Sequence, residues 1–299
     1  MKLGLKIDVD TFRGSREGVP RLAAALHARD AGATFLFSLG PDHTGRAIRR
    51  VFRRGFVGKV ARTSVLEHYG LKTLLYGTLL PGPDIGRRCA AELRAARDAG
   101  FEVGVHCWDH VRWQDFVAGA DAPWTERELD AACARFSEVF GKAPLVYGAA
   151  GWQTNAHALR YLDRHAFAYA SDTRGHGPFR PAMAGEVFTC AQWPTTLPTL
   201  DELVGVDGRT PADAARDILA LTVSPRADHV FTAHAELEGA KLLPAFEALL
   251  EGWTRQGYEI VALRELTATR EARSLPVHEV LYGPVPGRSG VLALQGRAA

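Results

Sequence analysis

No CxxC spacing joins any of the four cysteines, Cys89, Cys107, Cys133 and Cys190. Their scatter argues against a cysteine-rich zinc site and a disulfide framework, and it fits a reducing compartment. Charge of one sign is also missing: 36 lysines and arginines face 34 aspartates and glutamates, a formal net charge of +2. So small a charge is no footprint for nucleic acid, and any basic function has to be local. No stretch reaches the roughly 18 apolar residues of a membrane span. No apolar signal core precedes the first strand pattern. The expectation is a cytosolic protein, soluble or peripheral on a membrane. What is present is 299 residues with 46% hydrophobic content, enough for one large barrel or two modest domains.

The chain starts on its most informative stretch. Leu3, Leu5, Ile7 and Val9 alternate with Gly4, Lys6, Asp8 and Asp10, the period of two of a strand. Asp8 and Asp10 therefore share a face at the strand's end. Two neighbouring carboxylates repel unless a cation lies beside them. They are either turn residues capping the next segment or a metal ligand next to a general base.

Strand and helix patterns then alternate. Helices are expected over 19–31, 84–99, 124–140, 155–165, 211–221 and 243–256. Pro20 suits a first helical turn, and Thr125 with Glu128 reads as a capping box. Strands are expected over 33–40, 101–106, 145–149, 167–171, 187–193, 229–234 and 258–263. Repeated β-α units imply a parallel sheet, and seven or eight of them favour a closed or nearly closed barrel. Residues 1–266 are assigned to this barrel. Residues 267–299, punctuated by Pro276, Pro284 and Pro286, read as an irregular extension.

Residues 46–80 break the rhythm. Arg46, Arg49, Arg50, Arg53, Arg54, Lys59, Arg62 and Lys72 are opposed only by Glu67, and apolar residues such as Phe52, Phe56, Leu74 and Leu79 lie among them. The segment is longer than a normal connection and reads as an insertion. It is either a membrane contact or a helical hairpin packed on the barrel with its basic side in water. No recognition motif accompanies the cluster, so nucleic acid is not expected as a partner.

In such a barrel, functional residues sit at the C-terminal ends of strands. His106 and His110 follow a strand four residues apart and would share a face on a helical turn. They are either satisfied histidines, with Asp109 as a partner, or two metal ligands completed by Asp10. Such a set suits zinc, cobalt, manganese or iron. His234 closes an apolar strand, as a packed polar residue or a general acid; Glu236 could orient it or bind a substrate amine. The small residues 149–151 before Trp152 form either a tight turn or an oxyanion hole at Gly151 and Trp152. Asp172 holds a catalytic partner or caps a turn. Arg174 and Arg180 bind an anion or are surface charges. Trp108 and Trp152 flank the site and are large enough to exclude a methyl group.

Taken in order, the Asp-x-Asp, the His-x-x-x-His, the small-residue loop, Asp172 and His234 after its strand resemble the polysaccharide deacetylase family, the NodB homology domain. Stretches 7–14, 16–22, 149–152, 178–181 and 234–239 are most similar to a branch that deformylates a lipid-linked amino sugar, and the similarity runs through nearly all of 2–266. The resemblance implies a distorted (β/α)7–8 barrel and one divalent metal ion. It implies Asp8 as base, Asp10, His106 and His110 as metal ligands, and His234 as acid. It further implies a lipid-linked sugar as substrate and work at the cytoplasmic face of the inner membrane. The family's usual loop arginine, which holds the base, is missing from 149–152. Lys6, Arg174 and Arg180 are the candidates to replace it. Rival readings are an N-acetyl deacylase of the same family and a non-catalytic barrel that binds carbohydrate or lipid. Oligomeric state is left open.

Overall fold

The computed structural model describes residues 1–47, 73–224 and 226–299. Its strands are β1 (Lys2–Val9), β2 (Thr34–Ser38), β3 (Glu102–Cys107), β4 (Val146–Tyr147), β5 (Tyr169–Ala170), β6 (Arg180–Met183), β7 (Glu186–Val187), β8 (His229–His234), β9 (Glu259–Val261), β10 (Val277–Gly283) and β11 (Leu292–Ala298). Seven of them form one parallel sheet in the order β5-β4-β3-β2-β1-β8, with β9 also on β1. One edge of β1 pairs with β8 from Leu3 to Asp8. The other is shared, β2 taking Lys6 to Val9 and β9 taking Lys2 to Gly4.

The sheet curls, and an extended segment spans the gap between its outer strands. Ala170 N donates to Ala191 O (2.9 Å), Trp193 N to Ala170 O (2.8 Å) and Thr196 N to Val230 O (3.0 Å). This is the expected distorted barrel, nearly closed. The strand expected over 187–193 is instead this bridging segment, preceded by β7 in a different sheet.

Residues Leu3 to Val9 are buried on both faces of β1. Leu3, Leu5, Ile7 and Val9 pack outward in one core with Leu22, Leu26, Phe246 and Leu250 of the surrounding helices. The inward face is stratified. Gly4 lies on an apolar plug that includes Leu263 and Leu266; a Cβ there would sit 2.3 Å from Leu266 Cδ1. Lys6 comes next, fully buried, and Asp8 above it. A barrel thus turns an ordinary strand alternation into a floor, a cation and a carboxylate.

Two expectations need correction. The helix Ala122–Phe140 starts a turn earlier than the Thr125–Glu128 pattern suggests: Asp121 caps it by accepting from Trp124 N (2.9 Å), with a proline in the first turn. Thr125 and Glu128 are buried inside the helix. The tail is not irregular either. β10 and β11 form an antiparallel hairpin, and β10 pairs in parallel with β6, giving a second sheet of order β11-β10-β6-β7. Phe179, Phe188, Val280 and Ala293 fill a small core under it with Leu159. The prolines lie between strands, where turn chemistry wants them. No helix among the described residues is long and apolar enough to cross a membrane.

Candidate active site

The ends of β1, β3 and β8 converge. Asp8 stands in register with His234 across the β1–β8 pair. His106 lies on β3, and His110 opens the helix His110–Phe116, which Asp109 caps by accepting from Arg112 N (3.1 Å). This strand-to-helix turn brings the two imidazoles together, their ring centroids 5.5 Å apart. His106 Nε2 lies 3.2 Å from Asp10 Oδ1, and His110 Nε2 lies 3.2 Å from Asp10 Oδ2. Asp109 binds His43 Nδ1 at 2.6 Å.

Among the described residues, Asp10, His106 and His110 form the group able to hold a metal ion, with one donor atom from each within 4.8 Å of the others. The chemistry of the set fits. His106 Nδ1 lies 2.6 Å from Gly148 O; a carbonyl can only accept, so Nδ1 carries the hydrogen and Nε2 turns its lone pair inward. Asp10 Oδ1 is buried without a hydrogen-bond donor. Burial works against the Asp10 carboxylate, yet His110 and His106 outweigh it and hold its pKa well below the usual range. Burial likewise opposes charge on His106, but Asp8 and Asp10 raise its pKa. The raised His106 pKa reports the negative potential of Asp8 and Asp10, and the lowered Asp10 pKa reports the imidazoles that face it.

Asp8 has two different oxygens. Oδ2 lies 3.3 Å from Lys6 Nζ, and Oδ1 is buried with no hydrogen-bond partner in the protein. Lys6 also donates to Ser171 O (3.0 Å) and lies 5.3 Å from the Trp152 ring centroid. Of the three cations considered for holding Asp8, Lys6 is the one placed there. Arg174 is spent on Glu202 and on Leu197 O (2.9 Å). Arg180 belongs to β6 of the second sheet and donates its backbone N–H to Pro276 O (2.8 Å).

The small-residue loop is a 3-10 turn with Gly151 at φ +61° and Trp152 at φ +51°. Its hydrogen bonds limit what it can do. Trp152 N donates to Ala149 O (3.2 Å), and Ala149 N donates to Asp172 Oδ1 (2.9 Å). The Trp152 N–H is therefore not an oxyanion donor as expected, and Gly151 is left to carry that expectation. Asp172 proves to be the loop's anchor, its second oxygen accepting from Gln192 Nε2 (2.9 Å). Burial raises its pKa to about 6 against the pull of Gln192 and Ala149.

Trp152 is held on several sides of its ring. Its Nε1 donates to Thr195 (3.1 Å), and its ring meets Lys6, Arg174 and Arg288 at 5.3, 5.1 and 4.8 Å from the centroid. Trp108 packs on Gly40 and under the Arg135 guanidinium, 5.2 Å from its centroid. Glu236 does reach the site: its Oε2 faces Asp10 N at 3.5 Å, and burial, reinforced by Asp10, pushes its pKa well up. Glu238 is fully buried. It accepts from His234 N (2.7 Å), and burial followed by Asp201 raises its pKa to about 8.

Sequence reasoning missed Asp201 and Arg288. Asp201 Oδ1 lies 3.8 Å from His234 Nδ1, and Arg288 Nη1 lies 2.9 Å from Asp201 Oδ2. The Thr199–Glu202 capping box was a local signal for a helix start, but the partner that makes Asp201 matter lies 87 positions away.

A curled parallel barrel with paired aspartates and histidines at its strand ends defines a polysaccharide deacetylase-type hydrolase. Solved structures agree on the fold. A structure from Mycobacterium smegmatis assigned to the polysaccharide deacetylases superimposes with a TM-score of 0.63 at 17% identity, over 95% of this chain and 94% of that one. A CE4 family pseudoenzyme from Bacillus anthracis gives 0.52 at 13% identity, over 89% and 65%. No family model matches the chain. Curated relatives are more specific. One from Shewanella sediminis, named as a probable 4-deoxy-4-formamido-L-arabinose-phosphoundecaprenol deformylase, ArnD, is 38% identical over 98% of this chain and 94% of its own. One of the same name from Wigglesworthia glossinidia brevipalpis is 30% identical over 94% and 98%. The chain belongs to this ArnD deformylase family and is a hydrolase of amide C–N bonds.

Proposed function

We propose that the protein hydrolyses the formamide of 4-deoxy-4-formamido-L-arabinose carried on undecaprenyl phosphate, releasing formate and the free amino sugar lipid for lipid A modification. The observation that carries this reading is the 38% identity over almost the whole chain, joined to a site in which Asp8 and His234 stand in register on adjacent strands, with Asp10, His106 and His110 at the same strand ends. A shared fold alone does not decide activity, since the same barrel hosts a pseudoenzyme. An inactive barrel has no need of a cation buried under Asp8, which argues for turnover here.

In the proposed reaction Asp8 Oδ1 takes a proton from the attacking water, and the hydroxide adds to the formyl carbon. Lys6 fixes the opposite oxygen, leaving Oδ1 for that task. His234 gives a proton to the nitrogen as the C–N bond breaks, so the amine leaves neutral. A divalent cation held by Asp10, His106 and His110 would supply Lewis-acid polarisation of the formyl oxygen and acidify the water when bound. The preference for formyl over acetyl rests on the names of the relatives. Purified protein assayed side by side on N-formyl and N-acetyl forms of the lipid-linked sugar should favour formyl by about 10- to 200-fold. Equal turnover of both would turn the reading toward a general deacylase.

The substrate's lipid sets a second part of the proposal. A polyprenyl chain loses about 0.8 kcal/mol for each CH₂ withdrawn from the bilayer, so the enzyme comes to the cytoplasmic membrane face. Residues 46–80 are the proposed contact; 48–72 lie outside the described residues, and within the rest Leu79 is 81% and Leu80 39% exposed. Each arginine near an anionic surface contributes about 1 kcal/mol. Changing Arg49, Arg50, Arg53 and Arg54 to Glu should release the protein from anionic vesicles. It should also raise KM for the lipid-linked substrate while sparing a short-chain soluble analogue. Unchanged vesicle binding would remove this segment from the membrane contact.

A further inference from the structure

We propose that Arg288, in the turn of the C-terminal hairpin, is a positioning residue for His234, acting through Asp201 and the Trp152 ring. This deepens the reading of His234 as proton donor and rests on it. The guanidinium touches four oxygens of three residues: Asp201 Oδ2 (2.9 Å), Asp201 Oδ1 (3.1 Å), Glu202 Oε1 (2.9 Å) and Thr199 Oγ1 (2.9 Å). Its carbon lies 4.8 Å from the centroid of Trp152, whose ring meets the His234 imidazole edge-on at 6.0 Å. One planar fork therefore fixes both neighbours of the imidazole. Asp201 Oδ1 faces His234 Nδ1 at 3.8 Å, and that Nδ1 is buried with no hydrogen-bond partner in the protein. A carboxylate pinned from behind and facing the ring nitrogen opposite the reacting one sets the orientation of a proton donor.

The turn is shaped for this contact. Gly287 has φ +80°, and a Cβ on it would lie 2.3 Å from Glu202 O, so the backbone seats directly against the segment that carries Asp201. Holding the hairpin in place does not require Arg288. Arg174 N donates to Ala293 O (2.9 Å), Gln295 N to Arg174 O (2.8 Å), Gln153 Nε2 to Val291 O (2.6 Å), and Tyr282 donates to Thr154 O. The hairpin is already fastened by these bonds. Burial opposes ionisation of Asp201, but Arg288 and then His234 hold its pKa below the usual value, which keeps the facing charge in place.

The test is kinetic, on the full-length, metal-loaded protein. Arg288→Gln should lower kcat by about 10- to 100-fold with KM and bound metal unchanged. Arg288→Lys should recover only part, since an ammonium cannot span both carboxylates. In a His234→Ala background Arg288→Gln should cost nothing further, because groups that act as a unit are not additive. Wild-type kcat in Arg288→Gln, or the same fold-loss in both backgrounds, overturns the proposal. Should Arg288→Gln not fold, Asp201→Asn, which leaves Arg288 on Glu202 and Thr199, reads the same coupling against His234→Ala. Imidazole ¹⁵N NMR separates this inference from the functional reading. Full activity in His234→Ala would remove the proton donor, whereas unmoved His234 signals in Arg288→Gln would remove the brace.

Discussion

Asp10→Ala, His106→Ala and His110→Ala will each lose bound metal and hydrolytic activity together. Every one of the three supplies a donor atom to a cluster no wider than 4.8 Å, so deleting one leaves two ligands, too few for a tight divalent site. The electrostatics point the same way. The cluster holds a carboxylate below its usual pKa and an imidazole above it, each compensating the other where a cation belongs. Removing Asp10 takes away the pocket's own negative charge and strands two imidazoles side by side. Metal analysis of protein purified without chelator, then reloading of apoprotein with zinc, cobalt, manganese or iron, measures the effect. In wild type the matching ion should raise Tm through preferential binding to the folded state, and in the three variants it should not. A variant that retains full metal occupancy would strike that residue from the ligand set. Activity that survives exhaustive metal removal would end the case for a metal-assisted reaction.

Much of this site was legible in the chain because its signals are local. A twofold period fixes which residues of β1 share a face, so Asp8 and Asp10 could be paired before any fold was known. The same period put Lys6 on that face, one of three candidates to hold Asp8 that the sequence could not choose between. Only curling the sheet into a barrel makes that face an interior and Lys6 a buried partner. His106 and His110 were legible as a pair because a strand-to-helix turn needs few residues to bring them together. What failed was long-range. The hairpin's sheet partner β6 lies about a hundred residues upstream, and nothing in the Pro-rich tail announces it. Arg288 and Asp201 meet for the same reason, through a topology no local window contains. The oxyanion expectation narrowed on a different ground: small residues do permit close approach, yet the Trp152 and Ala149 N–H groups had already found partners in Ala149 and Asp172, which leaves Gly151.

Asp8→Asn and His234→Ala form the complementary pair, keeping the metal and losing the reaction. Asparagine preserves the size of Asp8 and its acceptor toward Lys6, but it cannot take a proton. His234→Ala removes the donor while Glu238 still accepts from the backbone N–H of residue 234 and holds the strand end. Each should cost about 10²- to 10⁴-fold in kcat, the usual contribution of a positioned acid or base. Lys6→Met distinguishes chemistry from support. It leaves a buried carboxylate without its cation, a loss that costs roughly 3–5 kcal/mol of stability for buried pairs. It should therefore lower Tm steeply, whereas His234→Ala should leave it nearly intact. Asp8→Asn should fall between them, since Lys6 then keeps an acceptor but not a counter-charge. Metal content, Tm and kcat measured on the same preparations decide the assignment. If Asp8→Asn releases the metal outright, Asp8 is a ligand and not the base. If His234→Ala is fully active, the proton that frees the amine comes from another group, with Glu238 and Glu236 the nearest buried acids whose raised pKa values would let them donate it.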